Sequence, residues 1–177
     1  MQNEQSLVRR AQQRDPEALA QLYEEYFDKI YRYIAFKIGN RTEAEDMTQQ
    51  VFLNAIKSIS SFKWKGTPFS AWLFRIAHNQ VVDYVRKRSR HATVPLAESL
   101  VSTDDNPELI AEQNLDVERL LSATQRLTKA QREVISLRFP GGLSIAEAAR
   151  VMGKSQGAVK ALQHSAILAL RQVLLVE

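Results

Sequence analysis

At 177 residues the chain has room for one ordinary domain or two small ones. It contains no cysteine, which excludes disulfides, thiolate metal sites and a cysteine nucleophile. The net charge of +4 conceals three blocks: residues 1–90 carry 15 Lys/Arg against 10 Asp/Glu, residues 91–118 carry seven acids and no Lys/Arg, and residues 119–177 carry nine Lys/Arg against three acids.

The opening stretch, residues 1–15, is polar and lacks the apolar core of a secretory signal. No apolar run approaches the roughly 20 residues of a membrane span. A cytoplasmic location without membrane insertion is the resulting expectation. Asp15-Pro16-Glu17 reads as a helix start: a capping Asp, Pro at the first helical position and an acid near the positive helix end. Leu19, Leu22, Tyr23, Tyr26, Phe27, Ile30, Ile34 and Ile38 follow at spacings of three and four, one apolar stripe that Gly39 ends. Thr42 then opens a helix, with Glu45 completing a capping box and Met47, Val51, Phe52, Ala55 and Ile56 as the buried face. After the loop SSFKWKG, Thr67-Pro68 opens a long helix with Phe69, Trp72, Leu73, Ile76, Ala77, Val81 and Val85 at helical spacing. It runs into the basic cluster Arg86-Lys87-Arg88-Ser89-Arg90.

Residues 91–105 have no periodicity and read as a linker. Asn106-Pro107-Glu108 carries the pattern of a further helix start. Basic blocks suit a polyanion such as DNA, and DNA would repel the acidic connector between them. The plainer reading of the connector is a solvated linker. Thr128 and Gln131 form a capping box before a short helix that ends near Arg138, and Phe139-Pro140-Gly141-Gly142 forces a turn. Two helices then follow with a tight turn between them. Ser144 and Glu147 cap the first, Ala148 and Ala149 allow a close crossing, Gly153 ends it, and Ser155 caps the second, with Val159 and Leu162 pointing back. That is a helix-turn-helix, whose second helix commonly enters the DNA major groove.

Phe62, Lys63, Trp64, Lys65, Phe69, Trp72, Phe74, Arg75, His78, Asn79 and Tyr84 interleave rings with bases and amides. Both tryptophans and three of the seven phenylalanines lie within 13 residues. Single-stranded nucleic acid is bound by such mixtures, rings stacking on bases while cations follow phosphates. An amide such as Asn79 suits the edge of a flipped base. Most of Phe69, Trp72, Leu73 and Ile76 read as core at helical spacing. That alternative fits Lys63, Trp64 and Lys65 poorly, since they lie in a loop.

The order of these segments resembles the extracytoplasmic-function sigma factors, the smallest group of the bacterial sigma family. DPEALAQLYEEYFDKIYRYI, TEAEDMTQQVFLNAI and FKWKGTPFSAWLFRIAHNQVVDYVRKRSR are similar to that family's region 2. LTKAQREVISLRF and LSIAEAARVMGKSQGAVKAL are similar to its region 4. The resemblance implies an all-α protein of two small helical domains, region 2 over residues 1–90 and region 4 over 119–177, joined by an acidic linker, 91–118. It implies a transcription initiation factor that binds core RNA polymerase, recognises the minus-ten and minus-thirty-five promoter elements and assists melting. Core polymerase is expected on Glu45, Asp46, Gln49, Gln50 and Asn54. The minus-ten element is expected on Phe62, Lys63, Trp64, Lys65, Trp72, Arg75, His78, Asn79, Arg86, Lys87 and Arg88. The minus-thirty-five element is expected on Ser155, Gln156, Gly157, Ala158, Lys160, Ala161 and His164. The linker is expected to thread through polymerase, and an anti-sigma factor to hold the chain. Positions the family often fills with Arg are Leu162, Ser165 and Ile167 here, so phosphate anchoring at this helix is expected to be weaker than typical, with Leu162 and Ile167 packed instead against a partner or in the domain core.

Two other readings were open to the residues. A helix-turn-helix repressor or activator with a helical sensor domain leaves the Trp/Phe/Lys loop and the acidic linker without a role. An enzyme is disfavoured: the only histidines are 78, 91 and 164, without metal-ligand spacing, and no nucleophile–base pair stands out. No cofactor, metal or small-molecule substrate is expected.

Overall fold

The computed structural model describes residues 2–91 and 118–175, and these are helical with no strand among them. The elements are α1 (Gln2–Gln12), α2 (Pro16–Ile38), α3 (Arg41–Ser58), a 3₁₀ turn (Ile59–Ser61) and α4 (Phe69–Arg90). A helical stretch over residues 118–125, α5, precedes α6 (Lys129–Arg138), α7 (Ile145–Met152) and α8 (Gln156–Leu175). The acidic linker, apart from its two end residues, and the Asn106-Pro107-Glu108 start lie outside the described residues.

The local signals are realised at most helix ends. Asp15 caps α2 by accepting from the Glu17 and Ala18 amides, and Gly39 ends it at φ 70°. Both capping boxes of the C-terminal half are closed on both sides, Thr128 with Gln131 and Ser144 with Glu147. The start of α3 differs from expectation. Asn40 is its cap, accepting from the Glu43 amide at 3.0 Å, and Thr42 sits inside the first turn. Asn caps at least as well as Thr and lies in the extended conformation that capping needs. Glu45 is consequently free to face solvent.

The polar opening stretch is itself helical, as α1. Its Val8 and Ala11 are fully buried. Gln12 donates to the Ile59 and Phe62 carbonyls at 3.0 and 2.9 Å, tying α1 to the loop before α4. Helices α2, α3 and α4 pack around Ile30, Ile34, Val51, Leu73 and Ala77, all buried. In the C-terminal half α6 packs on α7 and α8. Five consecutive residues of α6, Glu133 to Leu137, are buried, so this helix is covered on every side. The cover on its outer side is the N-terminal body, which α6 meets at α2 while α7 meets α4. The buried side chains form one continuous cluster across both bodies.

Candidate nucleic-acid and polymerase interfaces

On α3, Glu45, Asp46, Gln49 and Gln50 are exposed and Asn54 is half-buried. Gln50 donates to the Asn54 side chain at 3.0 Å, one turn along. Leu53, absent from the expected contact set, lies in the same band and is 52% exposed. The face is therefore acid and amide with one large exposed apolar side chain at its C-terminal end. That combination suits a docking contact, because an apolar anchor flanked by polar groups loses water on association. The available signal was that Leu53 lies three and four residues after Gln50 and Gln49, on their helix face.

The loop and α4 separate into two populations. Phe62 is 5% exposed and packs edge-on against Trp64 and Phe69, with Trp72 at 5.3 Å. Trp72 is half-buried against Phe69 at 5.5 Å. In this conformation Phe62 offers no free face to a base, because its ring is the centre of an aromatic knot that seats the loop on α4. Trp64 is half-buried rather than extended into solvent, and its indole N–H is buried without a hydrogen-bond partner. An unpaired buried donor is unfavourable by about 1–3 kcal/mol, and nothing polar fastens this ring in place. Lys63, Lys65 and Asn79 are exposed. Arg86, Lys87 and Arg88 extend the positive surface along the end of α4, Arg86 bonded to Asp83 at 2.7 Å and Arg88 to the Tyr84 hydroxyl at 2.5 Å.

Arg75 and His78 face the C-terminal body. Arg75 donates to the Arg150 carbonyl at 2.5 Å. His78 Nδ1 lies 3.1 Å from the Glu133 carboxylate and 3.3 Å from the Tyr33 hydroxyl. Tyr33 donates to Glu133 at 2.7 Å, and Lys37 forms an ion pair with the other carboxylate oxygen. Burial by itself raises the Glu133 carboxyl, but the hydrogen bonds from His78, Lys37 and Tyr33, with the Lys37 charge, outweigh it and hold it at about 2. Burial, then the Glu133 charge and hydrogen bond, push the Tyr33 hydroxyl well up. Ser70 of α4 donates to Glu147 of α7 at 2.5 Å. Burial raises Glu147, but the bonds from Ser70 and Ser144 bring it below the ordinary range. Gly141, in the forced turn, lies against Phe74, where an added Cβ would stand 2.9 Å from the ring. None of these cross-body contacts was legible as a pair in the sequence.

The helix-turn-helix is closed by Gly153 at φ 63°, a conformation L side chains rarely adopt. Ser155 accepts from the Ala158 amide at 3.1 Å. Gln156, Gly157, Ala158, Lys160, Ala161 and His164 are exposed along α8, and Val159 beneath them is fully buried. Leu162 and Ile167 pack against the core cluster. Ser165 accepts from Gln131 at 3.1 Å. The departures from the Arg-rich pattern are thus filled by contacts within the C-terminal body. Arg138 donates to Gln163 at 2.8 Å and to the Leu143 carbonyl, fixing α8 against the turn.

Among the described residues no group of three His, Cys, Asp or Glu is placed to hold a metal. No described helix is long and apolar enough to cross a membrane.

Residues 22–91 match the family model Sigma-70 region 2, and residues 123–172 match Sigma-70, region 4. The chain is 41% identical over 170 residues to the extracytoplasmic-function RNA polymerase sigma factor BldN of Streptomyces coelicolor, covering 95% of this chain and 64% of that protein. It thus spans under two thirds of BldN's length. It is 33% identical over 164 residues to the sigma factor SigD of Mycobacterium tuberculosis, covering 89% of this chain and 77% of that protein. Among solved structures it resembles CnrH in complex with the cytosolic domain of CnrY, with TM-score 0.74, 25% identity and 98% of each chain covered.

Proposed function

The chain belongs to the extracytoplasmic-function RNA polymerase sigma factors, and from that membership we propose that it binds core RNA polymerase and directs it to promoters carrying a cognate minus-ten and minus-thirty-five pair. Members of this family are initiation factors, not enzymes. One observation carries the reading: an exposed acid-and-amide band on α3, a ring-and-base loop before α4 and a helix-turn-helix occur on one chain that matches region 2 and then region 4.

In this proposal the band Glu45, Asp46, Gln49, Gln50, Leu53 and Asn54 docks on core polymerase. Lys63, Lys65, Arg86, Lys87 and Arg88 follow phosphates, and Trp64 and Asn79 engage unpaired bases. Phe62 and Trp72 hold the loop that presents Trp64. Gln156 and Lys160, four apart on one exposed face of α8, read the minus-thirty-five element. The Trp64 ring supports this because its buried, unpaired N–H gains an acceptor when the ring moves out to a base. Arg75 and His78 join that surface once the two bodies part. The acidic linker threads toward the polymerase cleft, where nucleic acid later displaces it. The protein works in the cytoplasm, and a second protein of anti-sigma type holds it between uses. A repressor or activator would share α7 and α8 but would leave the α3 band and the ring-and-base loop without a role. Run-off transcription with purified core polymerase on a library of genomic promoters tests the proposal. Specific transcripts that depend on the added chain are expected, and their absence alongside measurable DNA binding would favour the repressor or activator.

A further inference from the structure

The seam between the two bodies is built in an unusual way. Its apolar part belongs to the core cluster shared by both bodies, with Phe74 seated on Gly141. Its polar part runs from the buried Tyr33–Glu133 pair to the exposed Arg75–Arg150 contact. Glu133 of α6 is 8% exposed, yet its partners Tyr33 and Lys37 come from α2 and His78 from α4. Ser70 with Glu147 and Arg75 with the Arg150 carbonyl extend the same seam along α4. A buried ion pair adds little net stability over water-exposed charges, but it defines one docked orientation, because any other leaves a charge unpaired. A seam of this type is specific when shut and can open, since each polar group regains water on separation.

We propose that Glu133, Lys37, Tyr33 and His78 form a latch that shuts region 4 over α4 in the free chain, so that the His78 ring, on Glu133, and the Arg75 guanidinium, on the Arg150 carbonyl, are held by region 4 until the two bodies separate. The inference rests on the sigma-factor reading for what the opened surface does, and on the contacts alone for the closure. Lys37 and Tyr33 supply the pairing from the region 2 side, and Glu133 supplies the buried acid that receives them.

The absence of cysteine lets a spin-label pair be placed at Gln21→Cys on α2 and Gln172→Cys on α8, both exposed. Pulsed dipolar spectroscopy on the full chain, without polymerase, should give one narrow distance distribution. Glu133→Gln should broaden it and add longer distances, with the open-to-closed ratio rising on the order of tenfold. Lys37→Met should act in the same direction from the other body and leaves region 4 itself untouched, so a folding defect caused by the Glu133 change does not decide the outcome. Tyr33→Phe, which removes one hydrogen bond and keeps the ring, should shift the ratio less. Circular dichroism identifies any variant that has unfolded. A broad distribution in the unsubstituted pair, or unchanged distances in both Glu133→Gln and Lys37→Met, overturns the latch. Polymerase binding is measured separately on the same chains. Its failure would reject the sigma-factor role and leave the distances standing.

Discussion

The Tyr33 hydroxyl donates to the Glu133 carboxylate at 2.7 Å across 100 residues of chain, joining the second helix to the sixth inside the protein. Glu133 in turn takes Lys37 and His78, so one carboxylate gathers three helices into a single arrangement. The consequences for acid stability are direct.

The Glu133 carboxyl is lowered from 4.5 to about 2 on folding. A depressed carboxylate contributes stability that is fully present above its unfolded value of 4.5 and is lost as pH falls through about 2. The shift corresponds to about 3 kcal/mol at neutral pH, shared with Lys37, Tyr33 and His78. Thermal unfolding followed from pH 6 down to about 2 should show a steep fall in the midpoint over this window. In the Glu133→Gln chain the fall should be shallower, with Glu147 accounting for part of what remains. Parallel curves for the two chains would show that Glu133 does not carry the acid sensitivity.

Polymerase docking should depend on the exposed band of α3. Asp46→Lys with Gln49→Lys should weaken core binding by more than about 1.4 kcal/mol, a factor of ten. Leu53→Ala should weaken it by a comparable amount without changing charge, as expected of an apolar anchor. Fluorescence anisotropy titrations against core polymerase read both, and unaltered affinity in the two variants would remove α3 from the interface.

Melting should depend on Trp64 more than on Phe62. Ala at Trp64 should lower permanganate-reactive open complex while leaving polymerase affinity intact, with roughly 1–3 kcal/mol lost per stacked base. Ala at Phe62 should instead lower the melting temperature of the free protein, because its ring packs against three other aromatics. Asn79→Ala should act as Trp64→Ala does. Equal open-complex yield from the Trp64 and Asn79 variants would exclude both from base contact.

On α8, base reading and phosphate anchoring are separable. Gln156→Ala should lose about 1–3 kcal/mol of preference at one base pair, while Lys160→Ala should weaken all promoters alike and lower the salt slope by about one. Ser155→Ala removes the acceptor of the Ala158 amide and should reduce stability by about 1 kcal/mol. Holoenzyme binding to single-base promoter variants at several salt concentrations distinguishes these effects. No change in selectivity or slope in either the Gln156 or the Lys160 variant would mean that this helix does not read the promoter.

Gly141→Ala should disturb the seam and leave the helix-turn-helix intact. The added methyl would lie 2.9 Å from the Phe74 ring and 2.8 Å from the Leu137 carbonyl. Overpacking of this kind typically destabilises by about 1–3 kcal/mol, and the companion change Phe74→Leu should recover part of it. Chemical denaturation of the single and double variants measures the coupling.

Much of this protein is decided within three or four residues of chain. Asp15 with Pro16, Thr128 with Gln131 and Ser144 with Glu147 set their helix starts, because a cap and its amide are close neighbours whatever surrounds them. The apolar stripe of α2 and the turn at Gly153 are local in the same sense. So the helical class, the helix-turn-helix and the polar band of α3 are legible in the amino-acid order. Competing caps mark the limit of that legibility, since Asn40 displaced Thr42 at a site where both could serve. What lies against each helix is decided only in three dimensions. Phe62 and Trp64 have the composition of a base-stacking loop, but the loop folds back on α4 and buries one ring fully and the other in part. Glu133 sits on a short capped helix like any surface acid, and Tyr33 lies one place off the apolar stripe. A buried carboxylate is tolerable only where its partners converge. The partners of Glu133 come from residues 33, 37 and 78, on helices that only the packing of the two bodies brings together.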